Sequence, residues 1–262
     1  MLRGLINQQI IKEIPYSDEE AKDNPFYQDF LVFLKYIEEN VPKLTETKNL
    51  KLKHLTEVNE LLIRKRPMEE KVLDHIFRVR SEDEMRHIRI LDALTEVMRI
   101  TKRYKNRLRI MKRAKNLFDS LSPRAQLNLI WTAYIHYLNW AYLQRTENGD
   151  TIARVLQANQ ELVWLLLRDF DIESNQDWIS LDHFLEMIKK DFKIGWETAF
   201  GDDPDLARWG IERVIFSNLL EILGLVEIME SAKKFKLTNL GRRVIRFQVL
   251  QDGVGIPIKN NF

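Results

Sequence analysis

Apolar positions along this chain recur mostly at helical spacing, and the gaps between periodic runs carry cap and turn residues. Around Pro15, Ser17 with Glu20 reads as a capping box. The firmest early helix start is Asn24-Pro25, an N-cap followed by proline at the first helical position. Phe26, Phe30, Leu31, Phe33, Leu34 and Ile37 then make a wide stripe that needs another element to cover it. A short extended piece over 41–50 leads to a helix over 51–62, with Leu52, Leu55, Val58, Leu61 and Leu62 on its inner side. Arg64-Lys65-Arg66-Pro67 ends that helix, and a second is predicted over 69–79. Ser81-Glu82-Asp83-Glu84 predicts the next start, with acids at the positive end of the dipole. Met85, Ile88, Leu91, Leu94 and Met98 mark the inner side of this third helix, and Arg86, Arg89, Ala93 and Glu96 its outer side.

Directly after it comes RITKRYKNRLRIMKRAK, residues 99–115, in which nine of seventeen residues are Lys or Arg and none is acidic. Tyr104, Leu108 and Ile110 sit among the cations, and Lys105-Asn106 falls where a hairpin turns. The expectation is a two-stranded ribbon with apolar groups on one face and guanidinium groups on the other.

Ser122-Pro123 opens a predicted helix to about 143, rich in Trp131, Tyr134, Tyr137, Trp140 and Tyr142. Asn148-Gly149-Asp150 breaks it, and a helix over 151–170 pairs back antiparallel. So many aromatics suit a buried connector or a subunit contact. From Ser180 the earlier order returns: a helix over 181–192, a glycine-containing stretch, then Asp203-Pro204 opening a helix to about 223. Leu223-Gly224-Leu225-Val226 lies over Met98-Arg99-Ile100-Thr101, and residues 236–242 lie over 109–115. We read this as an internal repeat. Arg99 and Ala114 stand where the second copy has glycines, and Glu227 and Glu230 make the second ribbon far less cationic.

The box LGLVE…KLTNLGRRVI resembles the helix end, wing and closing helix of bacterial winged-helix proteins. The first copy, with LTETKNL ahead of its first helix and the basic ribbon after its third, resembles the same superfamily in a tandem arrangement. The resemblance implies a mainly α fold with small β-wings: two winged-helix units joined by a helical hairpin. The segments would be 1–43, a first unit over 44–118, an aromatic connector over 119–179, a second unit over 180–247, and a tail over 248–262. It also implies either DNA binding or a protein-contact role, since winged helices serve both.

Charge sharpens that choice. The net +2 hides a partition: residues 1–47 carry 5 basic and 9 acidic side chains, 48–118 carry 20 and 10, and 119–262 carry 16 and 20. Clustered cations attract polyanions. Lys102, Arg103, Lys105, Arg107, Arg109, Lys112 and Arg113 are therefore the candidate phosphate or minor-groove ligands. Arg86 and Arg89 are the candidate major-groove readers. Asp92 and Glu96 lie near that face and oppose a backbone contact. The bland alternative is a solvated basic surface or a site for an acidic protein.

Other chemistry finds little footing. Cysteine is absent, which removes disulfides and thiolate metal sites and fits a reducing cytoplasm. The five histidines have no metal-ligand spacing, and Asp202, Asp203 and Asp205 lack a calcium-ligand ladder. There is no phosphate loop, nucleophile elbow or dinucleotide fingerprint, so no cofactor and no enzymatic activity are expected. Apolar runs such as 162–167 are too short for a membrane span, and Gln8, Gln9, Lys12 and Glu13 interrupt any leader core. The expectation is a cytoplasmic DNA-binding protein of regulatory type with limited sequence readout. The connector or the second unit would contact a second copy or a protein partner. The alternatives are a protein scaffold, or an enzyme without a recognisable motif.

Overall fold

Capping decides where the first helices begin. Ser17 and Glu20 exchange side-chain and backbone hydrogen bonds, which opens α1 (Asp18–Asp23). The Asn24 side chain accepts from the Tyr27 N–H, and Pro25 takes the first position of α2 (Pro25–Asn40). That helix buries Phe26, Phe30, Phe33, Leu34 and Ile37 of the predicted stripe and also Tyr27 and Tyr36, while Leu31 is only half-buried. The computed structural model describes residues 15–72, 75–144, 147–175, 177–191 and 204–252. The chain is mainly helical with small antiparallel sheets of two or three strands. It divides into two units, Met1–Leu138 and Asn139–Phe262.

In the first unit, α3 (Leu52–Leu61) is followed not by a helix over 69–79 but by a hairpin of β1 (Glu69–Val72) and β2 (His75–Arg78). The sequence offers apolar residues at helical spacing (Val72, Ile76, Val79), but the backbone pairs as strands instead, and His75, Ile76, Phe77 and Arg78 are all exposed. Glu69 and Arg78 stand opposite each other and form an ion pair at 2.9 Å.

The acid-rich start at 81–84 also departs from expectation. Ser81 caps nothing, residues Glu82–Glu84 form a single 3₁₀ turn, and α4 (Arg86–Val97) begins after it. Glu84 accepts instead from the Arg80 N–H at 2.7 Å, while Glu82 turns inward to take the Leu50 N–H at 2.5 Å. α4 then leads into β3 (Thr101–Tyr104), β4 (Arg107–Ile110) and α5 (Lys112–Asp119).

The aromatic stretch is more broken than its sequence implies. A helix over Pro123–Thr132 passes into a π-helical turn, Ala133–Tyr137, and a 3₁₀ turn, Trp140–Leu143. Trp131, Tyr134 and Trp140 are buried, while Tyr137 and Tyr142 are about half exposed. The boundary between the units falls inside the stretch assigned to one connector. Asn148-Gly149-Asp150 lies within the helix Glu147–Ala158, and the break falls at Asn159, before Gln160–Glu173. In the second unit the helix Leu181–Asp191 is followed by Pro204–Ile211 and a π-helical run, Glu212–Leu220. A ribbon, Val226–Met229 with Lys234–Leu237, and a closing helix, Asn239–Asp252, complete it. The cap at Asp203 and the tail beyond 252 lie outside the described residues.

The internal repeat is visible in the backbone. In the first copy Met98, Ile100 and Met111 N–H groups donate to Leu94, Thr95 and Ile100 carbonyls at 2.8 Å each. In the second, Leu223, Leu225 and Thr238 donate to Leu219, Leu220 and Leu225 at 3.0, 2.8 and 3.0 Å. Each ribbon also gains a short third strand. Ile179-Ser180 pairs with the ribbon's second strand in one copy, and residues 42–44 pair with β4 in the other.

Candidate nucleic-acid interface

The ribbon in the first unit turns at Lys105-Asn106, both with positive φ (50° and 54°), the signature of a two-residue type I′ hairpin. Its register sorts the side chains by face, because residues directly opposite each other share one. Thr101 faces Ile110, and Arg103 faces Leu108; these four form the inner face. Lys102 faces Arg109, and Tyr104 faces Arg107, which makes the outer face. Lys43, opposite Arg107 on the short third strand, joins the outer face. It is exposed.

Tyr104 sits at the centre of this face. The residue is 49 % exposed, and the charged ends of Lys102, Lys105 and Arg109 lie over its ring, 5.6, 5.4 and 5.6 Å from the centroid. The Arg107 guanidinium donates to the Val41 carbonyl at 3.3 Å, so it braces the third strand while keeping its charge. Lys112 and Arg113 are exposed in the first turn of α5, where no acid offsets the positive end of the dipole. Among the described residues, no ion pair engages Lys43, Lys102, Lys105, Arg107, Arg109, Lys112 or Arg113.

Arg103 has a different role. It lies on the inner face and bonds Asp92 at 2.6 Å, Glu96, and the Lys48 carbonyl at 3.1 Å. Asp92 and Glu82 are both buried. Burial pushes the Asp92 carboxyl well above the ordinary carboxylate range, the nearby Glu82 carboxyl adds to this, and Arg103 opposes it. Burial raises Glu82 as well, against the pull of the Leu50 N–H bond. Arg103 is thus a neutralised core cation, withdrawn from the predicted phosphate ligands.

The predicted base readers also lie elsewhere. α4 buries seven of its twelve residues, Ala93 and Asp92 among them, so it is a core helix. Arg89 bonds Asp83 at 2.7 Å with its side chain only 14 % exposed. Arg86 is half-buried, and its charge acts on buried Tyr134. Sequence reasoning missed Lys43, whose strand is too short to leave a pattern, and placed Tyr104 with the apolar groups. Strict alternation from Leu108 and its partner Arg103 would have put Tyr104 among the cations.

Among the described residues, no group of three or more His, Asp or Glu is placed to hold a metal ion. None of the described helices is long and apolar enough to cross a membrane. No protein-family model matches the chain. No curated protein matches it, and neither does any solved structure.

Proposed function

We propose that the chain is a DNA-binding protein with two winged-helix units, of which the first holds the phosphate backbone through its ribbon and reads bases little. The observation that carries this reading is the outer face. Lys102, Arg107 and Arg109, with Lys105 at the tip and Lys43 bridged to Arg107, share one side of the ribbon, and among the described residues none of them is ion-paired to a carboxylate. Each phosphate held there releases counterions, so affinity falls steeply with salt. Helix, helix, ribbon and helix recur in both units, with the β1–β2 hairpin inserted between the two helices of the first, and this order supports the winged-helix reading. Burial of α4 favours backbone contact over groove reading.

The test is retention of random-sequence DNA as salt is raised, for the wild type and for a Lys102→Glu, Lys105→Glu, Arg109→Glu triple variant. These side chains are exposed, so the fold should survive their reversal. Loss of retention in the variant is expected. Equal retention would remove the ribbon from the mechanism.

A second reading, a protein-contact module, is favoured by the β1–β2 hairpin, which presents Ile76 and Phe77 at 58 % and 59 % exposure. Polar substitution of both residues would then disperse an oligomer in light scattering and leave DNA retention unchanged.

A further inference from the structure

The ribbon carries more than charge. A phosphate-holding face needs only cations, yet an aromatic residue, Tyr104, stands among them with about half of its surface exposed. We infer that this face is built for single-stranded nucleic acid, with Tyr104 as the platform on which one unpaired base stacks. The inference rests on the nucleic-acid reading above and names its substrate class.

Three observations carry it. First, the charged ends of Lys102, Lys105 and Arg109 lie over the ring at 5.4–5.6 Å, so a base that takes their place on Tyr104 brings its own phosphates within reach of the several cations it displaces. Cations tracking a backbone around an aromatic platform are the usual means of holding single strands. Second, the backbone that carries the ring is fixed without the ring being buried. It is held by the tight turn and by pairing of its strand with β4, which is itself braced by the Arg107–Val41 contact. Little ordering entropy remains to be lost when a base arrives. Third, the means of reading an intact duplex are committed elsewhere. Arg89 is held by Asp83, Arg103 by Asp92 and Glu96, and α4 has seven of its twelve residues buried. In a closed duplex every base is already stacked and offers Tyr104 no face.

The experiment is fluorescence anisotropy of labelled oligothymidylate, oligouridylate and a duplex of equal length, at matched salt, with the full chain. The wild type is expected to bind both single strands more tightly than the duplex. Tyr104→Ala should weaken single-strand binding roughly five- to one-hundred-fold, the worth of one stacked base, and leave duplex binding within about two-fold. Tyr104→Trp should restore or tighten it, which separates stacking from any loss of fold. A preference of one single strand over the other assigns the source as DNA or RNA. If Tyr104→Ala leaves single-strand affinity unchanged, or the wild type prefers duplex, the stacking inference fails while the electrostatic reading stands. If the wild type binds none of the three, both fail together.

Discussion

Replacing Arg103 by methionine removes the cation that faces two buried carboxyl groups and leaves the apolar stem roughly filled. Asp92 is 1 % exposed and Glu82 3 %, so neither can recover its lost partner from solvent. Taking one member from a buried pair costs about 3–5 kcal/mol, because the remaining charge is left without compensation. The Glu96 end of the contact is half exposed and adds little. The expected loss is therefore about 3 kcal/mol at neutral pH, and it depends on pH in a defined direction. Both carboxyl groups have folded pKa values raised by burial. Between the unfolded value, near about 4, and the raised one, the folded state binds more protons than the unfolded chain. Stability therefore falls as pH rises through that window. Without Arg103 both values rise further, so the cost is smallest below about pH 4 and largest above about pH 7. Urea unfolding followed by tryptophan fluorescence measures it, and Trp131 is the one tryptophan before residue 139. Arg109→Met, on the exposed face, is the control, with an effect expected within about 0.5 kcal/mol. A cost for Arg103→Met below about 1 kcal/mol at neutral pH, or one equal at both ends of the pH range, would refute the reasoning.

His87 gives the opposite slope. Burial, with Arg66 and Arg64 nearby, lowers its pKa to about 4. Its contribution is full above the unfolded value of about 6.5 and is lost as pH falls towards the folded one, at most about 3 kcal/mol. His87→Gln should flatten that acid limb in a pH series of melts, and an unaltered limb would count against it. Arg99 has φ 57° where the second copy has Gly224 at φ 72°. Arg99→Gly should relieve left-handed strain and stabilise by about 0.5–1 kcal/mol, after the added freedom of the unfolded chain is subtracted. A lower melting temperature would contradict this. A Cβ on Gly241 would lie 2.0 Å from the Leu225 carbonyl oxygen, a backbone atom that cannot swing aside. Gly241→Ala should cost about 3 kcal/mol or more in thermal melts, and wild-type stability would show that the two segments are not so close.

Much of the fold was legible because local rules and tertiary demands agreed. The Ser17–Glu20 box, the Asn24-Pro25 start and the stripe of α2 stand where their patterns put them. The overlay of residues 98–101 on 223–226 reappears as matching hydrogen bonds. Where the two disagreed, the tertiary demand won. Ser81 had every local reason to cap, but Glu82 was drawn to the Leu50 N–H, and the helix start moved to Arg86. Residues 69–79 carry apolar positions at helical spacing, yet Glu69–Val72 and His75–Arg78 paired as a hairpin instead.

Composition and spacing alone determined that nine cations cluster between 99 and 115 and that a turn falls at Lys105-Asn106. Those properties belong to the covalent chain: charge is a sum over residues, and a tight turn depends on two adjacent backbone conformations. Which cations face outward was decided only by folding. A one-residue change of register reverses a strand's faces, and the register here is set by Leu108 and Ile110 seeking the core. Arg103 was thereby carried inward to meet Asp92, and Lys102, Tyr104 and Arg109 outward. Lys43, some sixty positions away in the chain, reached the same face through a single bridge to Arg107. Long-range pairing of this kind leaves no local trace, since its stabilisation comes from contacts that exist only once the sheet has formed.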